Sequence, residues 1–150
     1  MYKIIITWDS FKHFESPIKE YIKRLWKTCE IVKLKPVKNW SNSQIIEKET
    51  NNLIKFLDKQ AWFKIVLNPL WKSFDTSSLY NFIEWKKQNF WNIIFVIWWA
   101  LGLDYKNLKN HIDFEINLWE LTMPHSLALL VLLEQIYRLE MIKKGTSYDK

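Results

Sequence analysis

Short apolar runs alternate along this chain with stretches of helical periodicity. Residues 2–7, 30–34, 63–68, 93–97 and 114–118 each read as a segment of strand length. The run at 93–97, Ile-Ile-Phe-Val-Ile, has no polar position, as a strand covered on both faces requires. Between the runs, apolar positions recur at intervals of three and four residues. Ser16 and Pro17 predict a helix start, the hydroxyl as cap and the proline at the first position, with the helix running to about Trp26. Ser43 is the expected cap of a second helix reaching about Gln60, with Ile46, Leu53, Ile54 and Leu57 on one face. Residues 76–88 carry Leu79, Phe82 and Ile83 at helical spacing. Residues 107–111 predict a short helix and 124–144 the last one.

Strands alternating with helices predict an α/β fold: an open, mainly parallel sheet with helices on both faces. Ligands of such sheets bind beyond the carboxyl ends of the strands. Three loops fall there, at 68–73, 98–103 and 118–124. The last helix is apolar nearly all round through Leu127, Ala128, Leu129, Leu130, Val131, Leu132 and Leu133. A helix flanking a sheet of this size should keep a polar face. Apolarity on every side predicts burial on both sides, and hence a homodimer.

The length, 150 residues, suits one domain over 1–150 with a real core. The one cysteine, Cys29, cannot form an internal disulfide, so the fold needs no oxidising compartment. The start of the chain has no leader pattern. The longest apolar run, 93–103, is shorter than the ~18 residues of a membrane helix. These features predict a soluble, cytoplasmic protein without membrane or metal partners. The net charge is +6, which suits an anionic partner such as nucleic acid. Nearly all of the positive charge is lysine, however, and an A/T-rich gene accounts for it equally well; the only arginines are Arg24 and Arg138.

Ten tryptophans stand against two glycines, where an average chain of this length holds about ten glycines. Trp40, Trp71, Trp91, Trp98 and Trp99 fall where turn chemistry is expected. Turns use residues that tolerate positive φ, which glycine does without steric cost. The pattern predicts that many of these positions are glycine in the organism, through a UGA codon read there as glycine.

Specific strings then align with a known family. Leu121-Thr122-Met123-Pro124-His125, followed by Leu133-Glu134-Gln135-Ile136-Tyr137-Arg138 and Lys144-Gly145-Thr146-Ser147-Tyr148-Asp149-Lys150, resembles the carboxyl end of the RlmH family of the SPOUT superfamily. The likeness spans the chain. Trp8 stands where the family has glycine after its first strand. Residues 67–72 resemble Leu-x-x-x-Gly-Lys, with Trp71 on the glycine. Residues 95–103 resemble Phe-Val-Ile-Gly-Gly-x-x-Gly-Leu, with Trp98 and Trp99 on glycines. The Gly-x-Gly-x-x-Gly turn of a nucleotide-binding Rossmann domain is missing after the first strand, even with tryptophans read as glycine.

The resemblance implies a SPOUT-type sheet with a C-terminal trefoil knot, a homodimer, and S-adenosyl-L-methionine bound in the knot. It implies methyl transfer to N3 of a pseudouridine in large-subunit (23S) ribosomal RNA. The family's cofactor positions fall on Leu67, Trp98, Leu118, Trp119, Glu120, Leu121, Thr122 and Met123. An indole at Trp98 would fill part of that pocket, so impaired cofactor binding is expected with tryptophan there and normal binding with glycine. Methylating N3 needs alignment with the sulfonium methyl and help in removing a proton. His125, in the family's Pro-His pair, is the candidate base; His13 and His111 read as surface residues. Tyr148 and Asp149 belong to the catalytic tail, where the family usually ends Tyr-His-Lys or Tyr-His-Arg. Leu129 stands where the family usually has arginine. Arg138, Lys143, Lys144 and Lys150 are candidate RNA contacts, and Arg138 alternatively holds the tail. The alternative reading is a catalytically impaired, knotted RNA-binding dimer.

Overall fold

The computed structural model describes residues 1–8, 10–97, 101–118, 121 and 123–149. Five strands, β1 (Tyr2–Ile6), β2 (Cys29–Lys33), β3 (Phe63–Leu67), β4 (Ile93–Ile97) and β5 (Phe114–Ile116), form one parallel sheet in the order β2-β1-β4-β3-β5. Each lies within two residues of its predicted position. The all-apolar β4 occupies the centre of the sheet, between β1 and β3, and its five side chains are all buried. Each such burial stabilises the fold by roughly 1.5–3 kcal/mol.

Five helices cover the sheet: α1 (Glu15–Arg24), α2 (Asn42–Leu57), α3 (Thr76–Asn89), α4 (Tyr105–Leu108) and α5 (His125–Lys143). Strand side chains alternate between two cores. Ile4, Phe63, Ile65, Phe95 and Ile97 join Ile18 of α1, Ile83 of α3 and Leu132 of α5 on one face. Ile5, Val66, Ile94 and Val96 join Leu53 and Leu57 of α2 and Leu108 of α4 on the other. Helices on both faces of a parallel sheet are the architecture the alternation predicts.

Helix starts differ from expectation: α4 begins at Tyr105, two residues ahead of the predicted 107, and the caps of α1 and α2 are not the predicted ones. A 3-10 turn at Lys12–Phe14 runs directly into α1, which begins at Glu15 with no side-chain cap. Ser16 and Pro17 therefore lie inside the first turn, where proline's missing N–H has no helical acceptor to lose. α2 is capped by Ser41, not Ser43. The Ser41 side chain accepts from the Gln44 N–H while the Gln44 side chain accepts from the Ser41 N–H at 3.1 Å, a reciprocal pair that Ser43 cannot make because position 46 is isoleucine. The turn tryptophans also differ from expectation in their backbone. Among the described residues, positive φ occurs at Asn39, Gly102 and Gly145. Trp40 and Trp71 thus sit in turns without left-handed backbone.

At the amino-terminal edge of the sheet, Lys87 Nζ donates to the Tyr2 hydroxyl at 2.6 Å and pairs with Glu140 at 3.4 Å. This ties β1 to α3 and α5. Among the described residues, no helix is long and apolar enough to cross a membrane, and no group of His, Cys, Asp and Glu is placed to hold a metal ion.

Candidate active site

Because all five strands run in parallel, the loops after β1, β3, β4 and β5 leave the sheet along one edge. Leu67 ends β3 there, buried between Ile97 of β4 and Ile116 of β5. Asn68 follows, with its N–H on the Ile116 carbonyl at 2.8 Å. Its side chain donates from Nδ2 to Glu115 at 2.6 Å and accepts from the Leu70 N–H at 3.0 Å. Asn117 closes the loop from the other side. Its Nδ2 donates to the Pro69 carbonyl at 3.0 Å, and its N–H donates to the Lys72 carbonyl at 3.0 Å. The loops after β3 and β5 are thus laced together by backbone groups and two asparagines.

The loop after β5 carries the remaining positions that the resemblance assigns to the cofactor. Leu118 is half-buried against the larger core, Met123 is half-buried and Leu121 is exposed. Trp98, Trp119, Glu120 and Thr122 lie outside the described residues. Pro124 leads into α5, whose first residue is His125. The His125 ring lies 5.5 Å from the Trp8 ring, centroid to centroid. Trp8 is half-buried just past β1, and its Nε1 is buried with no hydrogen-bond partner among the described residues. The exit of β1 and the start of α5 therefore meet at this edge, with an indole wedged between the sheet and the candidate base.

The tail candidates lie elsewhere in the chain. Tyr148 sits in a 3-10 turn at Ser147–Asp149 that folds back along α5. Its ring stands edge-on to Tyr137 at 5.0 Å, and the Arg138 guanidinium lies 5.1 Å from it. Arg138 also donates to Glu134 at 2.7 Å and to the Tyr148 carbonyl at 3.4 Å. Tyr21 of α1 packs on Tyr137; desolvation, then a hydrogen bond to Tyr148, pushes its hydroxyl up to about 12. Arg138 thus holds the tail within this chain. The thirteen helical steps from His125 to Arg138 correspond to about 20 Å. One chain does not bring His125 and Tyr148 together.

Lys143 pairs with Glu84 at 3.0 Å, a bond that raises its pKa, and Lys144 is exposed. Lys150 and the Asp149 side chain lie outside the described structure. Leu129 is fully buried in the core. His13 is exposed, and His111 Nδ1 lies 2.7 Å from Asp58 on the surface. No residue of α5 from His125 to Ile142 is fully exposed, although only six of its residues are buried. Sequence reasoning missed Glu115, Asn117 and Tyr105. A charged residue in the middle of a three-residue apolar strand was the available signal for Glu115.

Comparison with known proteins places this geometry. Residues 3–149 match the family described as "Predicted SPOUT methyltransferase". Proteins named Ribosomal RNA large subunit methyltransferase H are similar over 93% of this chain and 92% of their own length. The one from Streptococcus sanguinis is 34% identical, and that from Fusobacterium nucleatum is 32% identical. A protein of Methanococcus maripaludis named Putative ribosomal RNA large subunit methyltransferase H is 33% identical over the same shares.

Proposed function

The chain belongs to the SPOUT methyltransferase family, and we propose that it transfers a methyl group from S-adenosylmethionine to N3 of a pseudouridine in large-subunit ribosomal RNA. The observation that carries this reading is that Leu67, Leu118, Leu121, Met123 and His125 all fall on the carboxyl-end edge of one parallel sheet. The reading includes a single SPOUT domain over 1–150, a trefoil knot at its carboxyl end, and action in the cytoplasm.

With glycine in place of the obstructing tryptophans, the residues at this edge fit the donor, and Leu67, Leu118 and Met123 would offer it apolar walls. S-adenosylmethionine supplies an electrophilic methyl group when bound. The chain's own work is to hold the uridine N3 in line with it and to accept the N3 proton. His125 is the acceptor in this reading. His125 is the first residue of α5, at the edge where the donor loops would lie.

Tyr148, about 20 Å along α5, serves the same site only across a homodimer, where the partner's tail reaches this chain's His125. The partly covered apolar flank of α5 supports that assembly. Lys143, Lys144 and Lys150 supply cations for RNA phosphate. The unpartnered indole of Trp8 beside His125 favours a second reading for the chain with all ten tryptophans: an RNA-binding dimer with an obstructed donor pocket.

Titration calorimetry with S-adenosylmethionine separates the two readings. It is run on the chain as it stands and on a variant with glycine at 8, 71, 98 and 99. Binding by the variant at least tenfold tighter than by the parent, followed by methylation of large-subunit RNA, is the expected result. No heat from the variant at millimolar donor would remove the methyltransferase reading.

A further inference from the structure

The carboxylate of Glu115 takes no part in the chemistry above, yet it bridges the loop after β3 and the segment 101–105 that leads into α4. We propose that Glu115 is a positioning residue that couples the loop after β3, a wall of the donor site in this reading, to residues 101–105 leading into α4, so that the two segments move together. The proposal rests on reading this edge as the donor site.

β5 is an edge strand in which Phe114 and Ile116 pack into the larger core. Glu115 therefore faces the opposite side, toward α4. It is 6% exposed. Among the described residues it forms no ion pair, and its hydrogen bonds come from two neutral donors. Asn68 Nδ2 donates to Oε2 at 2.6 Å, and the Tyr105 hydroxyl donates to Oε1. A buried carboxylate held only by neutral donors is costly, and an apolar residue would serve the edge strand better. The positions of its donors give the carboxylate its use. Asn68 is the first residue past β3, and Tyr105 is the first residue of α4, directly after the loop that follows β4.

The coupling continues into each loop. With Nδ2 claimed by Glu115, the Asn68 amide has one orientation left, which aims Oδ1 at the Leu70 N–H at 3.0 Å. On the other side, the Asp104 N–H donates to Thr50 Oγ1 of α2 at 2.9 Å. The end of the loop after β4 is thus pinned at two adjacent residues, one to α2 and one to β5. The bond to Glu115 also raises the pKa of the Tyr105 hydroxyl, consistent with a donor held firmly on an anion.

Hydrogen exchange on the full chain tests the coupling without any cofactor. Glu115→Ala is expected to speed exchange in both 68–73 and 101–105 by about tenfold, equal to about 1.4 kcal/mol, while the amides of α3 stay unchanged. Tyr105→Phe is expected to loosen 101–105 and spare 68–73. Glu115→Gln, which keeps one acceptor oxygen, should fall between parent and alanine variant. In the chain with glycine at 8, 71, 98 and 99, Glu115→Ala should weaken S-adenosylmethionine about tenfold and change maximal turnover less. Loosening confined to one loop in Glu115→Ala, loosening spread over the whole sheet, or no change in either loop would overturn the proposal. A glycine-bearing chain that takes up no S-adenosylmethionine would instead sink the donor-site reading, with the exchange data still deciding the coupling.

Discussion

Replacing Trp8 with glycine, in a chain already carrying glycine at 71, 98 and 99, should lower stability and tighten methyl-donor binding at once. Full truncation of a buried tryptophan costs about 3–5 kcal/mol. Trp8 is half-buried, packed against both cores, so its packing is worth about half of that, or ~2 kcal/mol. Glycine's extra backbone freedom adds about 0.5–1 kcal/mol to the loss. Against this stands the buried Nε1–H, which has no partner among the described residues. Removing a desolvated, unpaired donor returns about 1–3 kcal/mol. The net loss is about 1 kcal/mol, a fall in Tm of roughly 2–4 °C for a chain of this size. The space opened beside His125 should admit the donor, and a ligand at a hundred times its Kd stabilises by about 2.7 kcal/mol. The glycine chain should therefore melt below its parent without S-adenosylmethionine and above it at saturation. Trp62→Gly is the control. Trp62 is half-buried at the opposite edge of the sheet, under the Lys3 ammonium at 4.4 Å, and should lose stability with no response to donor. A Trp8→Gly chain that loses about 3 kcal/mol or more and gains nothing from donor would refute the reasoning, because the indole would then be a core residue and not an obstruction.

Three further outcomes follow from the packing and the charges. Leu133→Ala removes a fully buried side chain of α5 and should cost about 2–5 kcal/mol in urea unfolding. Burial pushes the Cys29 thiol from 9.0 up to about 12. The unfolded chain releases that proton first, so stability should fall as pH rises from 9 toward 12, by up to about 1.4 kcal/mol per pH unit. Cys29→Ala should flatten the decline in urea titrations between about pH 9 and 10, where the buried tyrosines still contribute little. Arg138→Ala removes the guanidinium that joins Glu134 to the Tyr148 carbonyl. It should leave donor binding intact, make the tail the first site of limited proteolysis and cut turnover at least tenfold; unchanged proteolysis would mean that Tyr137 and Tyr21 hold the tail alone.

Much of this molecule is set by local pattern. Apolar runs of strand length and apolar positions at helical spacing determined the five strands and the main helices, because each depends on burial repeating along the chain itself. The strings from Trp8 to Lys150 likewise marked the family. Local pattern placed the caps less well. Ser43 is the expected cap of α2, and the reciprocal bond with Gln44 puts the cap at Ser41. Tertiary structure alone decided the strand order β2-β1-β4-β3-β5, because crossovers, not periodicity, choose which strands pair. It also set Trp8 against His125, and it separated His125 from Tyr148 by about 20 Å, although both lie in the segment that carries the resemblance. The pairing of Glu115 with Asn68 and Tyr105 belongs to the same class. A carboxylate in a short strand is only an anomaly in the sequence, and it becomes a link between two loops once parallel pairing brings their ends to the same edge.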